Sequence, residues 1–250
     1  MRRWLLPSLL LVALVGAWQL AASSGALADL LNLESYLVPS PAEIADSLWE
    51  SRGLLAENAW VTLQEMLLGL GIAFVVGVGL AFLMHLSTLI KDTVNPLVVV
   101  SQTVPILVLA PILLIWLGFG IWPKAVVVAL VCFFPITVST LAGLGSGDPE
   151  AAKMMRSLDA SRAQILWRVE TPTALPSFFT GARLAVVLAP IGAVFGEWVG
   201  ASSGLGHLIL FDNSQLETAR LFASVVVLSA IAIILFALTA FAQRRIVTWR

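Results

Sequence analysis

The chain has 250 residues, of which 59% are hydrophobic and 12% charged, with a net charge of −1 and a mean hydropathy of +0.97. A soluble domain carries about 25% charged residues, so this composition excludes one. The net charge says nothing about nucleic acid, but no basic run resembles a phosphate-binding stripe, so no nucleic-acid partner is expected, and a single cysteine, Cys132 in an apolar run, excludes internal disulfides and cysteine-rich metal sites.

The apolar excess recurs in long blocks. A membrane-spanning helix needs about 20 mostly apolar residues. Six stretches qualify, at about 4–22, 60–86, 94–117, 121–143, 174–199 and 219–242. The expected fold is therefore an all-α integral membrane protein, one transmembrane domain over 1–250 with six transmembrane helices in a lipid bilayer. In the first stretch, Arg2, Arg3, an apolar core and Ala26-Leu27-Ala28 also fit a cleaved signal peptide. The apolar run exceeds the usual ~7–15 residues of such a core, which favours a retained helix. The segment 23–59 that follows carries Asp29, Glu34, Glu43, Asp46, Glu50 and Glu57 and leaves the membrane. Within it, Ser40 is placed to cap a short helix opened by Pro41 and running through Trp49.

The second stretch places Gly69, Ala73, Gly77 and Ala81 four residues apart, and the fifth places Ser177, Gly181, Ala185, Ala189 and Ala193 the same way. Lipid offers no hydrophobic drive for helix association, so such small-residue stripes mark faces that pack closely on a neighbour. Pro96, Pro105, Pro111, Pro135 and Pro190 fall inside spans, where neighbouring helices can satisfy the freed carbonyls. The fifth stripe continues to Glu197. A carboxylate there either serves the substrate path or makes a structural hydrogen bond near the outer end. Glu65, one turn into the second span, carries the same two readings.

Between the fourth and fifth spans lies a polar loop, 144–173. Asp148 is placed to cap a helix with Pro149 at its first position. Ala151, Met154, Met155 and Leu158 then recur at helical spacing, an apolar stripe on a short amphipathic helix. Ser161 is placed to cap a second helix with Ile165, Leu166 and Val169 on one face. Two such helices either lie on the membrane or dock into a partner's groove.

Basic residues set the orientation. With both termini in the cytoplasm, only Arg52, Lys124 and Arg220 of the 14 Lys and Arg fall on the outer side. The 144–173 loop is then cytoplasmic and 23–59 extracytoplasmic. Trp18, Trp60, Trp116, Trp122 and Trp198 fall near the outer interface, and Trp4 and Trp249 near the inner one, as an aromatic belt.

Ser157-Leu158-Asp159-Ala160-Ser161-Arg162, followed by Val169-Glu170-Thr171-Pro172 and Ala174-Leu175-Pro176, resembles the signature loop of ABC-importer permeases. That signature runs Glu-Ala-Ala, three residues, Gly, nine residues, Ile, one residue, Leu-Pro. The literal Glu150-Ala151-Ala152 puts the rest out of register. Anchoring the glycine at Asp159 aligns Val169 and Thr171-Pro172, with Lys153-Met154-Met155 as the opening triplet. Asp is among the few residues that visit the left-handed region a glycine supplies there. Ser101-Gln102-Thr103-Val104-Pro105, Gly118-Phe119-Gly120, Phe133-Phe134-Pro135 and the run Gly196 to Gly206 are similar to the nitrate, sulfonate, taurine and pyrimidine-precursor branch.

The resemblance implies a type I importer permease fold in the bacterial cytoplasmic membrane. It implies a second permease copy (a homodimer), two ABC ATPase subunits and a substrate-binding protein. Pro149, Ala151, Met154, Met155, Leu158, Asp159, Ala160 and Ser161 would form the coupling helix and its end, seated in the ATPase. ATP and its magnesium would be bound by that partner, because this chain has no phosphate loop and binds no cofactor itself. The path would carry a pyrimidine thiamine precursor, or else a sulfonate, taurine, nitrate or riboflavin-like solute. It would pass Glu197, Trp198, Glu65, Gln102 and Phe134. The alternative is an ion-coupled transporter or channel, which would show inverted repeats or charges deep in its spans. An intramembrane enzyme is disfavoured, since His85 and His207 fall near opposite faces and no catalytic constellation is apparent.

Overall fold

The computed structural model describes residues 2–249, with side chains described from Leu6 onward. The expectations for Arg2, Arg3, Trp4 and Arg250 concern side chains outside the described residues. All regular structure among the described residues is helical. Helix α1 is Arg2–Ser23, α2 Ala26–Leu31, α3 Pro41–Glu50, α4 Arg52–Leu86, α5 Thr88–Ser101 and α6 Ile106–Leu117. Helix α7 is Ile121–Leu144, α8 Pro149–Ser157, α9 Arg162–Ile165, α10 Thr171–Trp198, α11 Leu205–Gln215 and α12 Thr218–Ile246. Among the described residues five helical stretches are long and apolar enough to cross a membrane, and six if the bent pair α5–α6 counts as one span. Leu9, Val12, Ile115, Trp116, Ile233 and Ile234 are exposed, as side chains facing lipid would be.

The chain forms two compact units, residues up to 61 with 202–228, and 62–201 with 229–250. In the first, Ser40 and Glu43 cap α3 reciprocally: the Glu43 amide donates to Ser40 Oγ at 3.3 Å and the Ser40 amide to Glu43 Oε2 at 2.7 Å. The Ala42 amide donates to Gln19 Oε1 at 2.9 Å, which ties α3 to α1. Buried Asp212 holds Arg220 at 2.6 Å across the turn at Leu216, joining α11 to α12.

In the second unit α7 is the core helix, and Ala125, Val128, Cys132 and Ile136 are fully buried. The two small-residue stripes are where the neighbours reach it. A Cβ on Gly69 would fall 2.5 Å from the Val128 Cβ, and one on Gly77 3.0 Å from the Phe133 carbonyl oxygen. On α10, a Cβ on Gly181 would fall 2.4 Å from the Pro135 carbonyl oxygen, and one on Gly192, beside the stripe, 2.8 Å from the Val128 Cα. Helices α4 and α10 therefore both approach α7 at backbone distance, the packing that lipid-embedded helices need.

Two elements depart from the sequence expectation. The stretch 94–117 is two helices meeting at 102°. Pro105 lacks the amide that would continue the helix and disfavours helical Val104. Just before it, Ser101 Oγ donates to the Val98 carbonyl and Thr103 Oγ1 to the Val100 carbonyl, so the ending helix is satisfied locally. The second loop helix, in turn, is the start of the fifth span. Residues 162–198 run on as one stretch through a π-helical turn at Leu166–Glu170. The Thr171 amide reaches back five residues to the Leu166 carbonyl, and the widened turn accommodates Pro172 without a break.

Candidate functional site

The loop between α7 and α10 has a definite form. Asp148 caps α8 by accepting from the Glu150 amide at 2.9 Å, with Pro149 at the first position. The helix ends in paired reverse bonds: the Ala160 amide donates to the Met155 carbonyl and the Asp159 amide to the Arg156 carbonyl, both at 3.0 Å. This closure needs a left-handed residue, and Asp159 supplies it with φ of 57°. It is the only residue of the 144–173 loop with positive φ, so the register that set Asp159 at the signature glycine coincides with the position where the backbone demands one. Ser161 then caps α9, bonded reciprocally with Gln164. Asp159→Gly is expected to keep this turn and stabilise it by up to about 1 kcal/mol, because glycine carries no penalty in that region. Hydrogen exchange at the Ala160 amide should slow in that variant, and faster exchange would refute it.

The apolar stripe of α8 divides. Met154 and Leu158 are exposed by 65% and 71%, whereas Met155 and Ala151 are half-buried. Pro149 and Ser161 are exposed and Ala160 is half-buried. Ile165 and Leu166, expected on one face with Val169, are buried, and Leu166 packs with Leu144, Ala174 and Phe82.

Two of the path candidates come together. Glu65 on α4 and Glu197 on α10 are each 1% exposed and lie close enough for their charges to act on each other. Lys124 Nζ on α7 donates to Glu65 Oε1 at 2.8 Å, and Thr62 Oγ1 donates to Glu197 Oε1 at 2.6 Å. The sequence places Lys124 at the outer side, at the start of the fourth span; in the structure it is the buried cation that holds Glu65. As folded, the cluster is sealed by protein and bolts α4, α7 and α10 together.

The other candidates are more accessible. Trp198 is 39% exposed, with its ring edge-on to Phe195 at 5.5 Å. Gln102 stands at the α5–α6 bend, on a cavity of about 380 Å³ lined also by Ser101, Pro105, Phe133, Leu188 and Ile191. Phe133 lines that cavity and Phe134 does not. None of its lining residues is charged.

A third cluster was not foreseen. His85, near the end of α4, places Nε2 2.8 Å from Glu170 Oε2, and Arg162 Nη1 donates to Glu170 Oε1 at 2.8 Å. No sequence signal links these residues, because 85 positions separate His85 from Glu170. Among the described residues no group of His, Cys, Asp or Glu could hold a metal ion.

The family of binding-protein-dependent transport system inner membrane components matches residues 73–248. The chain is 36% identical to the formylaminopyrimidine transport permease protein ThiX of Halalkalibacterium halodurans, over 98% of this chain and 95% of that protein. It is 35% identical to a probable ABC transporter permease protein of Haemophilus influenzae, over 94% and 93% of the two chains. It is 32% identical to the riboflavin transport system permease protein RibX of Chloroflexus aurantiacus, over 98% and 89%. In fold it is similar to a chain of the inward-facing MetNI methionine ABC transporter, with a TM-score of 0.64 and 22% identity over 80% of this chain and 97% of that one. With five or six apolar spans among the described residues, a capped loop helix and this kinship, the chain belongs to the binding-protein-dependent inner membrane components, as a multi-pass permease subunit of an ABC importer.

Proposed function

We propose that this permease works as a homodimer with two ABC ATPase subunits and a substrate-binding protein, and that α8 is the coupling helix seated in the ATPase. Both termini are cytoplasmic in this reading, as the Lys and Arg bias requires. The observation that carries it is the outward pair Met154 and Leu158, at i and i+4 on a short helix fixed at both ends. Two large apolar side chains in water are unfavourable, and a groove on a soluble ATPase would cover them. Methionine adapts to such a groove. ATP and magnesium stay on the partner, whose closure moves α8 and tilts the spans.

Leu158→Asp places a charge on this face without touching a buried contact. Substrate-stimulated ATP hydrolysis in the reconstituted transporter should fall about tenfold or more, the scale of a lost apolar anchor of 1.5–3 kcal/mol. Insertion and yield should be normal. Unchanged stimulation in that variant would remove the docking assignment.

For the solute, the reading is a formylaminopyrimidine or a closely similar heterocycle. The cavity at the α5–α6 bend supports a neutral solute, because it offers Gln102 and Ser101 as polar groups and no cation. A sulfonate or nitrate would need a paired positive charge on entering such a lining. A riboflavin-like solute remains compatible with the lining chemistry, and competition between labelled formylaminopyrimidine and riboflavin for uptake separates the two. In this reading Gln102 and Trp198 contact solute on its way, while Glu65 and Glu197 act by holding the helices.

A further inference from the structure

We propose that Glu170 is the joint that passes coupling-helix movement into the spans, with His85 as its fixed arm and Arg162 as its releasable one. The proposal rests on the reading of α8 as the coupling helix. Glu170 closes the π-helical turn and directly precedes α10. Its two carboxylate oxygens are divided between two elements. Oε2 meets His85 at the end of α4, and Oε1 accepts from Arg162, three residues past the Asp159 turn that ends α8. One carboxylate therefore ties the exit of the coupling helix to the start of the fifth span and the end of the second.

The two arms differ in shelter. The His85 and Glu170 side chains are 13% and 10% exposed, whereas Arg162 is 49% exposed. A carboxylate only accepts, so His85 Nε2 carries the proton that it donates to Oε2. The Arg162 Nη2 contact to His85 Nε2, at 3.5 Å, is then mere proximity between two donors. Arg162 is held by Glu170 alone among the described contacts of its guanidinium with acceptors. An exposed arginine pair of this kind adds little to folding and can open at little cost. The sheltered His85 bond stays closed. Beside it, Trp167 of the same π-turn stacks on Phe82 of α4, with ring centroids 5.7 Å apart and planes 28° from parallel. The fixed arm thus has an apolar support and the Arg162 arm does not. A π-turn is a widened, irregular turn inside a helix, and such turns often mark functional positions. Release of Arg162 when the ATPase pulls on α8 frees this turn to re-register, while His85 keeps α4 and α10 moving together.

The test uses the whole transporter, permease with ATPases and binding protein, reconstituted in liposomes. ATP hydrolysis is measured with and without the binding protein outside, together with uptake of labelled formylaminopyrimidine. Glu170→Gln and Arg162→Ala should keep basal hydrolysis, and stimulation by the binding protein should drop roughly five- to tenfold, the lower range of ordinary coupling effects. Arg162→Lys, which keeps a donor and a charge, should recover part of it. The Glu170→Gln and Arg162→Ala effects should fall short of additivity when combined, since both remove the same bond. Unchanged stimulation in both variants overturns the joint and leaves the importer reading standing. Loss of basal hydrolysis in step with folded protein also overturns it, as that marks a structural bond. A wild-type assembly that hydrolyses ATP but is never stimulated overturns the proposed assembly with α8 as its coupling helix, and the joint with it.

Discussion

Lys124→Met is expected to lower the unfolding free energy by about 3–5 kcal/mol, the usual effect of removing one partner from a buried ion pair. Lys124 is 8% exposed and its Nζ is the donor to Glu65 Oε1. The second oxygen of Glu65 is buried without a hydrogen-bond partner, so loss of Lys124 removes the cation that holds this carboxylate. Glu197 stands close by with a like charge and makes the orphaned Glu65 worse. Methionine matches the lysine stem in length, which leaves the missing ammonium as the main change. The companion variant carries the argument. Glu65→Gln in the Lys124→Met background removes the uncompensated charge and should return more than half of the loss, because replacing both partners of a buried pair is often nearly neutral. Unfolding of the purified protein by a denaturing detergent, followed by tryptophan fluorescence, measures both. Equal destabilisation in the single and double variants would show that Lys124 matters for its packing and not for its charge.

Local sequence was a good guide wherever the physics is local. Asp148 and Pro149, Ser161, and Ser40 with Pro41 each announced a helix start, since a cap is decided by residues within one turn. Asp159 was readable for the same reason, as the one residue between two helices able to take positive φ at small cost. The stripes of α4 and α10 were legible because lipid leaves small residues as the main route to close packing. The bend at Gln102–Pro105 was harder. Pro96, Pro111, Pro135 and Pro190 all lie inside continuous helices, so proline alone does not break a span here. What distinguishes Pro105 is the preceding Ser101-Gln102-Thr103, whose hydroxyls satisfy the carbonyls of the helix they end. Glu65–Lys124 and His85–Glu170 were invisible, because a sequence shows that a charge is there but not which helix will bring its partner. The basic-residue bias assigns Lys124 a side of the membrane but is silent on its partner, a carboxylate on another helix.

Gly181→Val is expected to separate α10 from α7 and cost more than 3 kcal/mol, beyond the 1–3 kcal/mol of ordinary overpacking. The reason is what the added atoms would meet. A Cβ at Gly181 lies 2.4 Å from the Pro135 carbonyl oxygen and 2.7 Å from the Ser139 Cβ. A backbone oxygen cannot swing aside as a side-chain tip can, so the whole helix must retreat. Retreat would open the contacts of buried Ala185, Ala189 and Ala193 along the same stripe, and with them the hydrogen bond from the Cys132 thiol to the Ala185 carbonyl at 3.2 Å. Even alanine, which gains up to about 1 kcal/mol of helix propensity over glycine, should lose at this position. Gly71 and Gly79 on α4 provide the contrast, as a Cβ on either meets nothing within 4 Å. Gly71→Ala and Gly79→Ala should therefore be neutral or stabilising by up to about 1 kcal/mol in the same detergent unfolding assay. All of these glycines sit in apolar helices, so composition cannot rank them, and only the α7 backbone beside Gly181 makes its replacement severe. If Gly181→Ala and Gly71→Ala unfolded alike, the close approach of α10 to α7 would be wrong, and with it the rigid frame on which the Lys124 cluster is held.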